Sequence, residues 1–245
     1  MRMRLFGVLA ACICAVASTA QAELLINFEA PTYTTGGVSG QDGWTTISTG
    51  SAVISSTAPL AGSQSLVVGG GNGAAIYAQH TLTGGGLVDG AVVSALIEIA
   101  YPSYDSNYFQ LTRSTDNGAY AGLEFNYAAS GSIGARVAES STGPVSLGNF
   151  TKGNLLNVSF TLDFTNQQYV AKVVDLTAAT SITSDPLGFS TSATPTTAEA
   201  GKASFIGWSA AMKIDNLTAT PEPGTLALLT SGLIGLLCYA WRKRK

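Results

Sequence analysis

The chain is poor in the residues that carry most catalytic chemistry. It has three cysteines, Cys12, Cys14 and Cys238, and none between Glu23 and Thr220. That central stretch therefore holds no disulfide, no thiolate nucleophile and no cysteine-ligated metal. It has one histidine, His80. A Ser–His–Asp triad would have to use it, and a zinc site would find one imidazole at most. Charged residues make up 11% of the chain. Six of the twelve basic residues sit at the two ends, which leaves six basic against fourteen acidic residues in between, a net charge of −8. The whole-chain value of −3 conceals this. An acidic domain of this kind argues against nucleic acid or an anionic membrane surface as a partner, because phosphates need Lys and Arg. Long runs of Ala, Leu, Glu and Lys are absent, and about a quarter of residues 23–220 are Ser or Thr. That is the composition of strands and turns.

The two ends carry the long apolar runs. Arg2 and Arg4 precede Leu5–Val16, an apolar stretch of about twelve residues, and Ala20-Gln21-Ala22 follows. Charge, short apolar core and A-x-A site make a secretory signal peptide, residues 1–22, cut by signal peptidase after Ala22. The core falls short of the roughly 20 residues a span needs. At the other end Pro221-Glu222-Pro223-Gly224 leads into Thr225–Trp241 and then Arg242-Lys243-Arg244-Lys245. About seventeen residues at ~1.5 Å each cover roughly 26 Å, the low end for a membrane helix. Tyr239 and Trp241 stand where interfacial aromatics belong, and the four cations stay cytoplasmic as a membrane stop. Each proline in Pro221-Glu222-Pro223 fixes φ and removes an N–H, so this segment is extended rather than helical.

Taken together, residues 221–245 resemble the PEP-CTERM sorting signal over about a tenth of the chain. The resemblance implies that an exosortase, a membrane-embedded transpeptidase-like enzyme, reads Pro221, Glu222 and Pro223 and removes the tail. It also implies a Gram-negative bacterium that makes exopolysaccharide, with the protein crossing the inner membrane and ending at the cell surface or in the extracellular matrix.

Residues 23–220 are long enough for one sizeable core. Period-two alternation bounded by Gly, Asn, Asp or Pro predicts strands near Leu24–Phe28, Ala52–Ser56, Gln64–Val68, Ala74–His80, Ala91–Ala100, Tyr108–Arg113, Ala119–Tyr127, Ser132–Glu139, Leu155–Phe164, Gln168–Leu176, Ala203–Trp208 and Lys213–Ala219. Tyr108–Arg113 and Ala119–Tyr127 form a hairpin across Asp116-Asn117-Gly118, and Leu155–Phe164 and Gln168–Leu176 form another. Asp185–Gly201, with two prolines and a Thr/Ser cluster, reads as a long surface loop. Many strands and almost no helix mean an all-β antiparallel sandwich.

Asn27-Phe28-Glu29, Gly40-Gln41-Asp42-Gly43-Trp44, Ala61–Leu66 and Ile214-Asp215-Asn216-Leu217, with the hairpins between, resemble the concanavalin A-like lectin/glucanase fold. The resemblance implies a LamG-like jelly roll whose first and last strands pair.

Candidate chemistry is thin. Glucanases of that fold present Glu-x-Asp-x-x-Glu on a strand, and no such pattern is present. Glu98 alternates with Ile97 and Ile99, and Glu124 with Leu123 and Phe125, so both point away from the core and are read as sharing one sheet face with Gln110, Asn126 and Arg136. That face is either the solvated side of an antiparallel sheet or a carbohydrate-binding surface. Catalysis by facing carboxylates is the weakest reading, and the protein is expected not to be an enzyme. His80 is expected at a strand end on the surface. Trp44 and Trp208 are expected to serve packing rather than sugar stacking. Tyr104-Asp105-Ser106-Asn107 and Asp116-Asn117 are the oxygen-rich loops where calcium would sit, but these are ordinary turn residues, and no cofactor is expected. The expectation is a non-enzymatic exported protein associated with exopolysaccharide; the alternative is a lectin-like carbohydrate-binding module.

Overall fold

The computed structural model describes residues 24–47, 52–69, 75–82, 87–99, 106–127, 132–139, 145–190, 195–197, 200–208 and 211–220. These lie in one compact unit, Leu24–Thr220. Its strands form two antiparallel sheets. The ten-stranded sheet runs β14 (Thr180–Thr183), β13 (Gln168–Asp175), β12 (Leu156–Asp163), β7 (Val92–Ile99), β17 (Met212–Thr220), β5 (Ser65–Val68), β4 (Ala52–Ser55), β2 (Gly36–Gly37). In addition, β1 (Leu24–Ile26) pairs with β17 and β15 (Leu187–Gly188) with β13. The seven-stranded sheet runs β11 (Val145–Thr151), β10 (Ser132–Glu139), β9 (Ala119–Tyr127), β8 (Asn107–Arg113), β16 (Ala200–Gly207), β6 (Ile76–Thr81), β3 (Thr45–Ile47). All twelve expected strands are present, and both expected hairpins form.

Alternation decides which side chains meet between the sheets. In β7, Val93, Ala95, Ile97 and Ile99 are buried while their neighbours are half-buried. Phe160, Leu162 and Phe164 line the same interior as Tyr169, Ala171 and Val173. At the centre the Phe109 ring stacks on Phe205 at 4.6 Å and meets Phe160 of the opposite sheet edge-on at 5.0 Å. Burying each such ring stabilises the fold by ~1.5–3 kcal/mol. Gly207 lies at a close approach of the two sheets: a Cβ there would stand 2.5 Å from the Val68 carbonyl oxygen.

The first and last strands pair, Leu24 opposite Ala219 and Ile26 opposite Leu217. The pairing is held by burial, since Ile26, Leu217 and Ala219 all face the core. Two carboxylates brace this region. Glu29 accepts from the Ser63 and Gln64 amides and the Ser63 hydroxyl. Asp215, fully buried, accepts from the Ala61 amide, the Ser65 hydroxyl and the Asn216 amide.

Three expectations need correction. Strands β2, β3, β11, β14 and β15 were not anticipated; they are short or lack clean alternation, and neighbouring strands recruit them. Asp185–Gly201 is not simply a surface loop. It contains β15 and the start of β16, and Leu187, Phe189 and Pro195 are buried. Phe189 is the cause, stacking on Tyr169 at 6.0 Å and meeting Tyr120 edge-on at 5.4 Å.

His80 is not on the surface; it is 7% exposed. Its Nε2 is 2.7 Å from the Asp42 carbonyl oxygen, and its ring lies 5.1 Å from Trp44. The loop that carries Asp42 folds over it. Tyr33 donates to the Asp42 carboxylate at 2.7 Å and accepts from the Trp44 indole at 3.1 Å. Trp44 is a core residue, as expected, at 1% exposure.

Candidate functional site

The outward face of the seven-stranded sheet collects polar side chains in register. One row crosses five strands: Thr45, Gln79, Ser204, Gln110 and Gly122. The next row holds Ile47, Tyr77, Ile206, Tyr108 and Glu124, and Arg136 is the backbone register partner of Glu124 in β10. Asn126 stands two residues beyond Glu124, opposite Gly134. The intervening residues, among them Ala78, Phe109, Leu123 and Phe205, belong to the core, so these rows face away from it.

The row is recessed. Gln79, Ser204, Gln110 and Glu124 are all under 9% exposed, while Tyr77 and Tyr108 are half-buried beside them. Gln79 Nε2 donates to Ser204 Oγ at 3.4 Å. Gly122 matters because a Cβ there would come within 2.9 Å of Gln110 Cγ; its absence lets Gln110 lie across the strand. Glu124 accepts the Ser106 hydroxyl. Chemically the surface offers amides and hydroxyls that both donate and accept, one carboxylate acceptor and two phenol rings.

Four of the five residues singled out from sequence share this sheet: Gln110, Glu124, Asn126 and Arg136. Glu98 does not. It lies on β7 of the other sheet, opposite Lys213, whose Nζ is 3.1 Å from its Oε1. Alternation tells which way a side chain points from its sheet but not which sheet the strand joins. Glu98 and Glu124 each point away from a shared core, and packed sheets are already about 10 Å apart. They therefore cannot form the carboxylate pair at about 5–9.5 Å that glycoside hydrolysis uses. Thr45, Tyr77, Gln79, Tyr108 and Ser204 were missed. Their alternation was legible, but the order of β3, β6, β16 and β8 was not.

Among the described residues no three His, Cys, Asp or Glu side chains come together as a metal site. Asp116 is engaged by Arg113 and the Gly118 amide, and Asn117 Oδ1 accepts from Lys202 Nζ at 2.9 Å. Tyr104 and Asp105 lie outside the described residues, as do Ala20, Ala22, Pro221, Glu222, Pro223, the expected membrane helix 225–241 and Arg242–Lys245. Among the described residues no helix is long and apolar enough to cross a membrane.

The described fold ends at Thr220, the last residue of β17. The family model of the PEP-CTERM protein-sorting motif matches residues 219–245, starting inside that strand. No protein of curated function matches the sequence. Among solved structures the sandwich is similar to a sialidase, with 12% identity, a TM-score of 0.54 and 83% of this chain covered. This chain spans only 19% of the sialidase's length. It is also similar to the lectin UEA-II complexed with galactose, with 11% identity, a TM-score of 0.54, and 82% of this chain and 99% of the lectin covered. Peanut lectin with a 9mer peptide is similar at 12% identity and a TM-score of 0.53, covering 82% of this chain and 98% of that one. At such identities the likeness is one of fold. The chain thus ends in a PEP-CTERM protein-sorting motif, and the domain before it is a concanavalin A-like jelly roll.

Proposed function

We propose that this protein is a non-enzymatic exported surface or matrix protein, cut by signal peptidase after Ala22, sorted by an exosortase and associated with extracellular polysaccharide. The observation that carries this reading is the match of the sorting motif to residues 219–245. The tail holds the protein in the inner membrane in transit, and its removal frees the sandwich. The separation of Glu98 from Glu124 supports a non-catalytic role. The test is a tagged chain in which Pro221, Glu222 and Pro223 are replaced by alanine. The natural motif yields a shortened, released protein and the variant stays full-length in the membrane. Equal size and location for both would sink the sorting reading.

A second reading, carbohydrate binding, is favoured by the recessed row Gln79–Ser204–Gln110 beside Tyr77, Tyr108 and Glu124. The lectin UEA-II, whose fold this domain shares, holds galactose. A glycan array probed with the purified protein, with and without Ca²⁺, tests it; silence under both conditions removes it.

A further inference from the structure

We propose that β16 and β17 act as a closing pair, so that residues 24–82, exported first, are the last part of the sandwich to fold. This inference rests on the export reading, in which the chain crosses the inner membrane amino end first. The pairings divide the other strands into two groups. β1–β6 fall within residues 24–82, and β7–β15 within residues 92–188. Among the described residues no strand of one group pairs with a strand of the other. The groups meet in the sheets only through the last two strands, one in each sheet. β16 stands between β6 and β8, with Phe205 opposite both Ala78 and Phe109. β17 stands between β5 and β7, with Ile214 opposite both Leu66 and Ile97.

Without the closing pair the first group cannot hold a sheet. It falls into the run β2-β4-β5, whose strands are two to four residues long, the pair β3-β6, and β1, whose partner among the described residues is β17. Pieces this small are marginal in water, and β5 and β6 would each keep one unpaired edge. Its side chains wait for the same strands. Trp44 packs on Phe205 of β16 with ring centroids 6.3 Å apart, and the Ala61 amide and Ser65 hydroxyl find their acceptor in Asp215 of β17. The second group is better supplied. Its runs β14-β13-β12-β7 and β11-β10-β9-β8 pack on each other through Phe160 and Phe109. It forms first and presents β7 and β8 as templates for the closing pair. The polar row of the seven-stranded sheet is divided in the same way. Thr45 and Gln79 come from the first group, Gln110 from the second, and Ser204 of β16 lies between them. That face is complete only after closure, when the strand just ahead of the sorting motif has followed the rest of the domain out.

The test is pulse-labelling of the full chain in producing cells, with protease added from outside at successive times and the surviving fragments identified by mass spectrometry. Residues 24–82 gain resistance only together with residues 200–220, and residues 92–188 gain it no later. Resistance of 24–82 ahead of 200–220 overturns the proposal and leaves the export reading standing. A wild-type chain that outside protease never reaches overturns both. A full-length chain with Phe205→Asp and Ile214→Asp gives a second measurement, because cleavage follows the open population. Its residues 24–82 are cut at least about tenfold faster than its residues 92–188. Equal rates for the two halves, or wild-type resistance of residues 24–82, overturn the proposal.

Discussion

The carboxylate of Asp215 accepts the Ser65 hydroxyl at 2.9 Å, 150 residues away in the chain. The same oxygen accepts the Ala61 amide at 3.1 Å. Asp215→Ala leaves these buried donors without an acceptor, at about 1–3 kcal/mol each. The expected loss is at least about 2 kcal/mol, read as a lower urea midpoint with an unchanged slope.

Glu29 and Gly62 are fitted to each other. Gly62 has φ +59, and a Cβ there would overlap the Glu29 carboxylate. Gly62→Ala is expected to cost about 1–3 kcal/mol through backbone strain and displacement of Glu29 from Ser63. Adding Glu29→Ala should recover only the steric part, so a double-mutant cycle in urea gives a non-zero coupling. Simple additivity would show that the two residues are independent.

Burial holds the His80 imidazole below its usual pKa, and its bonds around Asp42 offset this only in part. A folded state that binds fewer protons than the unfolded chain loses stability on acidification. The His80 contribution is complete above about pH 6.5 and declines as pH falls below it. Burial moves the Asp215 carboxyl the other way, upward, so its contribution grows on acidification. Comparison with His80→Gln isolates the histidine. The variant's denaturation midpoint should fall less than the natural protein's between pH 7.5 and pH 5; parallel curves would refute the assignment.

If the outward face of the seven-stranded sheet binds sugar, Glu124→Gln and Gln110→Ala should weaken glycan binding about tenfold each, the worth of about one hydrogen bond to a charged or well-placed partner. Glu98→Gln, on the opposite sheet, should leave it unchanged. Titration calorimetry against an array hit separates these outcomes, and a loss with Glu98→Gln alone would move the site to the other face.

Much of the fold was legible because alternation is a local property. Val93, Ala95, Ile97 and Ile99 announce β7 and its inner face without reference to any other strand. The candidate site was legible only in part for the same reason. Glu98 and Glu124 carry the same local signal, an acidic residue between two large apolar ones, yet they occupy opposite exteriors. Phe189 lies in a run rich in Ser, Thr and Pro, and only the gap beside Tyr169 and Tyr120 explains its burial. His80 ends an expected strand, and only the loop carrying Asp42 and Trp44 encloses it.

The sequence by itself determined that this protein carries a sorting motif at its C-terminal end, that its central domain is acidic and free of cysteine, and that the domain is built of strands. Charge, apolar run length and two-residue periodicity are read along the chain without knowing what touches what. Tertiary structure decided the strand order, the face on which each polar residue stands and the meeting of Leu24 with Ala219. Those depend on hydrogen-bonded register between segments nearly two hundred residues apart.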